Sequence, residues 1–346
     1  MSDDGASSKP DLSSTGFPRR EDRFPLPLDA WYVAAASAEL GDGPIARRVH
    51  DCPIVLYRAR DGVPAALLDR CPHRGVALSL GRIFDGRLAC AYHGWRFGAD
   101  GACTHIPSLT QGREIAAGIG VRSFPCREQD GLVWVWTGLR ETSTVPPSIP
   151  NYAGRVWTQG AIDLACEAMM PIENNLDICH PYFTHPRLHP QWFAIERAGF
   201  RELAYELLLT ATGLEVTSQG VRLAFCLPDR VTVEGGPGAP LIVLHHTPTT
   251  VGRCRQHWLV SLKAASADAS AGISWSDELP EIFEQDRCVM ESAQLAYAIE
   301  GGTFERSVKA DAPTLMARRI VRMAAAGRWE QDRVRLSQRR RVLVRG

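Results

Sequence analysis

Between Trp31 and Gly138, apolar positions come in short alternating or β-branched runs: Pro53–Tyr57, Ala65–Leu68 and Leu132–Trp136. Gly, Asp and Pro separate them, the punctuation of strands joined by tight turns. This pattern predicts an antiparallel β-sandwich over 26–142. Thr142–Pro150 is rich in Pro and Ser and reads as a linker, 143–152. A second domain, 153–346, opens with a helical pattern over Asp163–His180. Five further β runs follow (Leu203–Leu209, Gly213–Val216, Val221–Cys226, Leu241–Thr247 and Gln256–Lys263). The fold class is therefore α+β, with helices laid over an antiparallel sheet in the second domain. Ala312–Gly346 is Arg-rich and reads as a helix with Arg339, Arg340 and Arg341 near its end.

Composition narrows the classes. A length of 346 residues suits two domains, and 45% apolar residues suffice for sizeable cores. Zero formal net charge gives no general attraction to nucleic acid or membrane. No apolar run approaches the roughly 20 residues of a membrane span. Residues 1–25 are mostly polar, Gly and Pro, which predicts disorder and no signal peptide. The ten Cys are scattered, so reduced thiols in a cytoplasmic protein fit better than a disulfide framework.

Two constellations carry chemistry. The first is Cys71-Pro72-His73 followed, after sixteen residues, by Cys90-Ala91-Tyr92-His93. Each loop offers one thiolate and one imidazole. A Rieske-type [2Fe-2S] cluster needs two Cys on one iron and two His on the other. Gly75 and Gly94 stand where a tight turn wants no Cβ. The plain alternative is a Cys2His2 zinc site, in which Cys usually pairs with Cys and His with His along the chain. The second constellation is Asn174-x2-Asp177-x2-His180-x4-His185. Two His and one carboxylate on one face suit non-haem Fe(II), with positions left for O2 and substrate. Five residues of regular helix rotate by about 140°, so an irregularity at Pro181 is expected between the two His. The bland alternative is two half-buried His on an aromatic-rich helix.

The stretch CPHRGVALSLGRIFDGRLACAYHGWRFGADGACTHIPS, with GLVWVWTG at Gly131–Gly138, resembles the Rieske non-haem iron aromatic-ring-hydroxylating oxygenases. The resemblance implies a Rieske domain, a catalytic mononuclear iron domain and a homotrimer. It implies that Cys71, His73, Cys90 and His93 hold the cluster and that His180 and His185 hold the mononuclear iron. Asp177 would be an electron-transfer bridge between subunits, not an iron ligand. The third iron ligand would lie downstream in Glu284-Gln285-Asp286, and Asp286 is assigned, with Glu281, Glu284 and Glu291 as rivals. Val76 and Ala91 replace the Cys pair that links the loops in respiratory Rieske proteins, which suits the lower-potential oxygenase type.

No nicotinamide or flavin fingerprint is present, since Gly41-Asp42-Gly43 is too short a match. Electrons would come from a separate reductase or ferredoxin. The chain is short for a dioxygenase α subunit, so the resemblance points to the monooxygenase and demethylase-like branch. Its reactions are hydroxylation, O- or N-demethylation and oxidative cyclisation of aromatic or polycyclic molecules. A ring-dihydroxylating dioxygenase, an electron carrier without chemistry and a zinc hydrolase are the alternatives. Flanking residues Met169, Met170, Phe183, Trp192 and Phe193 are candidate pocket walls, with Cys179 beside the ligand His180. His245 or His246 would hydrogen-bond a substrate or else be a satisfied core residue. The Arg-rich C-terminal segment would be a solvated helix or a surface for an acidic ferredoxin.

Overall fold

The computed structural model describes residues 22–139, 142–149, 152–185, 202–235, 240–262, 275–336 and 339–345. Its N-terminal part is a stack of small antiparallel sheets. Strands Trp31–Ala36, Leu132–Trp136 and Cys126–Gln129 form one sheet, and Ile45–Val49, Cys52–Arg58, Pro64–Leu68 and Ser123–Phe124 form another. A third, from Arg82–Phe84 to Cys103–His105, holds the Cys90–His93 loop between its strands, with the Cys71–His73 loop leading into it. The three predicted runs are all strands.

The second part is one eight-stranded antiparallel sheet. Strands from Glu202–Leu209 to Cys254–Leu262 run as a meander. Val156–Leu164 closes one edge, and Arg339–Arg345 closes the other. Helices α1 (Met169–Leu176), α2 (Pro181–Thr184), α3 (Trp275–Glu300), α4 (Ala312–Ala325) and α5 (Trp329–Asp332) complete it. In α4 the spacing of Met316, Ala317, Ile320, Val321 and Met323 makes a single buried stripe. That stripe packs with buried Met169, Ile172 and Leu176 of α1 in the main core. The α+β class is as expected.

Three local expectations change. Asp163 lies in a strand that ends at Leu164, paired with Arg255, and the helix begins only at Met169. The strand Val156–Leu164 contains Gly160 and alternates weakly, so its apolar pattern conceals it. The C-terminal segment is helical to Asp332, but Arg339–Arg345 is an edge strand paired with Glu202–Leu209. Its charge reads as helix surface in the sequence, yet charge is also what protects a sheet edge from further pairing.

The two parts share a core. Phe24, Tyr32 and Val133 belong to the same buried cluster as Met169 and Ile320. Backbone bonds also cross between them: His50 N donates to Pro248 O at 2.9 Å and Asp51 N to Thr249 O at 2.8 Å.

Candidate functional site

The two N-terminal loops repeat one geometry. Cys71 N donates to Val76 O at 2.8 Å, and Cys90 N donates to Trp95 O at 2.9 Å. Gly75 and Gly94, at φ +74° and +69°, donate back to Cys71 O and Cys90 O. A side chain with a Cβ is strained in that left-handed region. Both thiols are buried, while His93 is exposed and His73 half-buried. The two imidazole centroids lie 4.5 Å apart, and Trp95 stacks on His73 at 4.7 Å. Burial, with help from Cys90, pushes the Cys71 thiol up to about 11. Its thiolate form therefore needs a nearby cation. Nδ1 of His73 is buried without a hydrogen-bond partner.

The second constellation converges at the far end of α1. That helix stops at Leu176, and Asp177 leaves it with extended backbone. The Asp177 carboxylate then accepts from Cys179 N at 2.7 Å, which shapes the turn into α2. Pro181 opens α2 at a position where its missing N–H costs nothing. The break thus precedes His180, and Pro181 starts a helical turn where an interruption between the His residues was expected. His185 leaves that turn at φ −118°, ψ 60°.

Asp286 of α3 meets both imidazoles. Its Oδ1 lies 3.2 Å from His185 Nε2 and 3.7 Å from His180 Nε2. The ligand atoms of His180, His185 and Asp286 all fall within 4.8 Å of one another. His180 Nδ1 donates to Asp177 O at 2.9 Å, and His185 Nδ1 donates to Gln285 Oε1 at 2.8 Å. With both Nδ1 hydrogens engaged, both Nε2 lone pairs turn toward Asp286, as in sites where outer hydrogen bonds fix a metal-binding tautomer. Burial pulls the His180 imidazole below its ordinary value despite Asp286 and Asp177. At His185 burial acts the same way, but Asp286 and Gln285 outweigh it and raise the value.

The rivals stand elsewhere. Glu284 pairs with Arg287 on an exposed face, and Glu291 accepts from Ala165 N at 2.8 Å. Glu281 is reached by Gln285 Nε2 at 3.4 Å.

A cavity of about 440 Å³ opens above the triad. Its apolar walls include Leu223, Ile242, Leu244, Leu279 and Phe283, with Asn175 and Tyr182 among its polar lining. The expected walls differ. Met169 and Met170 are buried in the core, Phe183 is exposed, and none of these lines the cavity. Trp192 and Phe193 lie outside the described residues. Cys179 is not among the lining either. His245 and His246 are fully buried: His245 Nδ1 pairs with Asp229 Oδ1 at 3.2 Å, and His246 Nδ1 donates to Asp229 O at 2.8 Å. His246 is a satisfied core residue, its Nε2 facing Asn175 Nδ2 at 3.4 Å, whereas His245 Nε2 is buried without a partner. Gln285, Asn175 and Asp229 were not singled out in the sequence, although Gln285 sits directly beside the assigned carboxylate.

Comparison with known proteins supplies the family. Residues 30–125 match the model described as the Rieske [2Fe-2S] domain. Residues 215–327 match the vanillate O-demethylase oxygenase C-terminal domain. The chain is 40% identical over 174 residues to the dicamba O-demethylase oxygenase component of Stenotrophomonas maltophilia, 49% of this chain and 50% of that one. It is 34% identical over 166 residues to the vanillate O-demethylase oxygenase subunit of Pseudomonas sp. (strain HR199 / DSM 7063), 46% of this chain and 45% of that one. The chain thus pairs a Rieske domain with the C-terminal domain of an O-demethylase oxygenase, the domain pair of Rieske non-haem iron oxygenase components. The matched segments span about half the length of these curated relatives. In fold, this chain matches dicamba monooxygenase bound to dicamba at TM-score 0.68 and 24% identity, over 86% of this chain and 97% of that one. It matches Pseudomonas putida CBB5 NdmA at TM-score 0.69 and 22% identity, over 86% and 91%.

A Rieske oxygenase of this type uses a [2Fe-2S] cluster and a mononuclear iron. Both donor sets fit. Cys71 and Cys90 are buried beneath imidazoles that reach solvent, and His73 Nδ1 lacks a partner. Oδ1 of Asp286 is buried without a well-aligned hydrogen bond and faces two lone pairs, an arrangement that a cation relieves. Two imidazoles and one carboxylate are the donor chemistry of non-haem Fe(II).

Proposed function

We propose that this chain is the oxygenase component of a multi-component system that monooxygenates an aromatic or polycyclic small molecule, by hydroxylation or O- or N-demethylation. The observation that carries the reading is the convergence of His180, His185 and Asp286 at one end of an apolar cavity, in a chain that also holds a Rieske domain. Relatives named as O-demethylases favour monooxygenation over ring dihydroxylation.

In this reading Cys71, His73, Cys90 and His93 hold the cluster, and His180, His185 and Asp286 hold the iron. When bound, the iron supplies the activation of O2. The chain's own residues do the rest. Asp177 O and Gln285 Oε1 keep both imidazoles oriented. Leu223, Ile242 and Phe283 exclude water from the reacting space. Asp177 lines both the main cavity and an outer cleft of about 260 Å³ with Glu173 and Arg318. That two-sided placement suits a bridge to the cluster of a neighbouring subunit, hence a homotrimer. A separate reductase or ferredoxin reaches the cluster through exposed His93. The basic strand Arg339–Arg345 is a second contact for an acidic donor. Among the described residues no helix is long and apolar enough to cross a membrane, and a cytoplasmic site remains part of the proposal.

The test is single turnover of chemically reduced protein with a panel of aromatic ethers, amines and polycycles. Substrate-dependent O2 uptake with formation of one hydroxylated or demethylated product is expected. Reduction without any substrate-dependent uptake across the panel contradicts the reading.

A further inference from the structure

We propose that the cavity above the triad selects an uncharged aromatic molecule bearing a hydrogen-bond donor, with Asn175 as the acceptor and His246 as the residue that positions it. This rests on the oxygenase reading and names the substrate class for that site.

Charge is the first support. Among the described residues, the cavity lining contains no Lys and no Arg. Its carboxylates are Asp177 and Asp286. Those two negative charges already balance a divalent iron. An aryl carboxylate or sulfonate would meet a largely apolar lining with no counter-charge among the described residues, which is strongly unfavourable. A neutral ring system meets Leu223, Ile242, Leu244, Leu279 and Phe283 instead.

The second support is the way the Asn175 amide is spent. Its Nδ2 donates to Pro171 O at 2.6 Å and approaches His246 Nε2 at 3.4 Å. His246 is fully buried, and its Nδ1 donates to Asp229 O at 2.8 Å. Nε2 of a neutral His246 is therefore an acceptor, and only the NH2 end of the Asn175 amide complements it. Burial pulls the His246 imidazole down to about 4, which keeps that tautomer through the physiological range. Both amide hydrogens are thus committed to the protein. The remaining group is Oδ1, an acceptor, on a residue that lines the cavity. Asp177, Ser218 and Gln219 add further acceptor atoms to the same lining, so the role of Asn175 is read from its own variant. Ser218 Oγ donates to Ala204 O at 3.1 Å, and the Asp177 carboxylate accepts from Cys179 N at 2.7 Å. A site built around a fixed acceptor favours a ligand that brings a hydroxyl or N–H and penalises one that leaves the acceptor bare.

The test compares three probes on the iron-loaded protein: a hydroxynaphthalene, its methyl ether and the corresponding naphthoate. Affinities are read by calorimetry or tryptophan fluorescence, independently of turnover. The hydroxyl compound is expected to bind about tenfold tighter than the ether, and the naphthoate most weakly of the three. Asn175→Leu is expected to bring hydroxyl and ether within about twofold of each other. His246→Leu is expected to shrink the preference with Asn175 still present, and His246→Gln, which keeps an acceptor, to restore part of it. Naphthoate binding as tightly as the hydroxyl compound to the unaltered protein overturns the proposal, whatever the variants do. So does an undiminished hydroxyl preference in Asn175→Leu. O2 uptake with the same probes separates the layers: uptake with the wrong order of affinities sinks the selection alone. The expected affinities with no uptake or product from these probes or from the wider panel of ethers, amines and polycycles sink the oxygenase reading.

Discussion

Cys71 and Cys90 lie nineteen positions apart, each in a glycine-closed loop, with His93 exposed to solvent. His185, just after α2, and Asp286 of α3 are both buried and lie about a hundred residues apart. In the proposed function the two regions divide the labour of the molecule along that contrast. A site that takes electrons from another protein benefits from imidazoles at the surface. A site that handles O2 benefits from apolar walls and from ligands whose spare nitrogens are tied to Asp177 O and Gln285 Oε1. The loops need little beyond their own backbone. The cavity needs the whole α+β frame, because α1, α3 and the sheet each contribute to it.

The sharpest way to break this division is Asp177→Asn. Both metal centres are expected to assemble, while reduction of the mononuclear site by the cluster slows by about a hundredfold or more. Rapid-mixing spectroscopy checks it, and fast reduction in the variant removes Asp177 from the link. Next in size is Gln285→Leu, which leaves His185 Nδ1 without its acceptor. Iron affinity at the triad is expected to fall about 10–100-fold, with the cluster spectrum unchanged. Metal titration against a chelator reads that difference.

A third prediction concerns pH and belongs to the catalytic domain alone. His246 has a folded value near 4, below its ordinary 6.5, because burial disfavours the charged form. Between those values the unfolded chain binds a proton that the folded chain does not. Stability is therefore full above pH 6.5 and is lost as pH falls toward 4, by about 3 kcal/mol from this group. Denaturant melts of the protein and of His246→Gln, compared at neutral and mildly acid pH, should show a flatter dependence in the variant. The smallest effect is expected at the loops. Gly75→Ala forces a Cβ into φ +74°, at about 1–2 kcal/mol, with nothing within 4 Å to clash. The cluster should form in that variant with reduced stability to denaturant, and an unchanged melt would mean that the turn tolerates a side chain.

The same contrast explains what could be read in the chain. The matched geometry of the two Cys-His loops was legible because donor types, spacing and turn glycines all lie within one short stretch. His180 and His185 were legible as a pair. The position of the helix break was not, because Asp177 sets it by a side-chain bond to Cys179 N that no spacing rule encodes. The cavity walls were misjudged for a related reason. Neighbours in sequence such as Met169 and Phe183 point into the core or out to solvent, and the lining comes from strands and from α3. His245 and His246 left two meanings open until Asp229, distant in sequence, was seen to engage both. Arg339–Arg341 misled because an edge strand and a solvated helix both favour charge.

The central claim is that this one chain holds two separate iron centres. Iron and acid-labile sulfide analysis, with the EPR spectrum of the reduced protein, tests it on the unaltered chain and on Asp286→Ala. About three iron and two sulfide per chain are expected for the first, and about two of each with an unchanged cluster signal for the second. Equal iron in both proteins, or a cluster signal lost together with Asp286, would contradict the account.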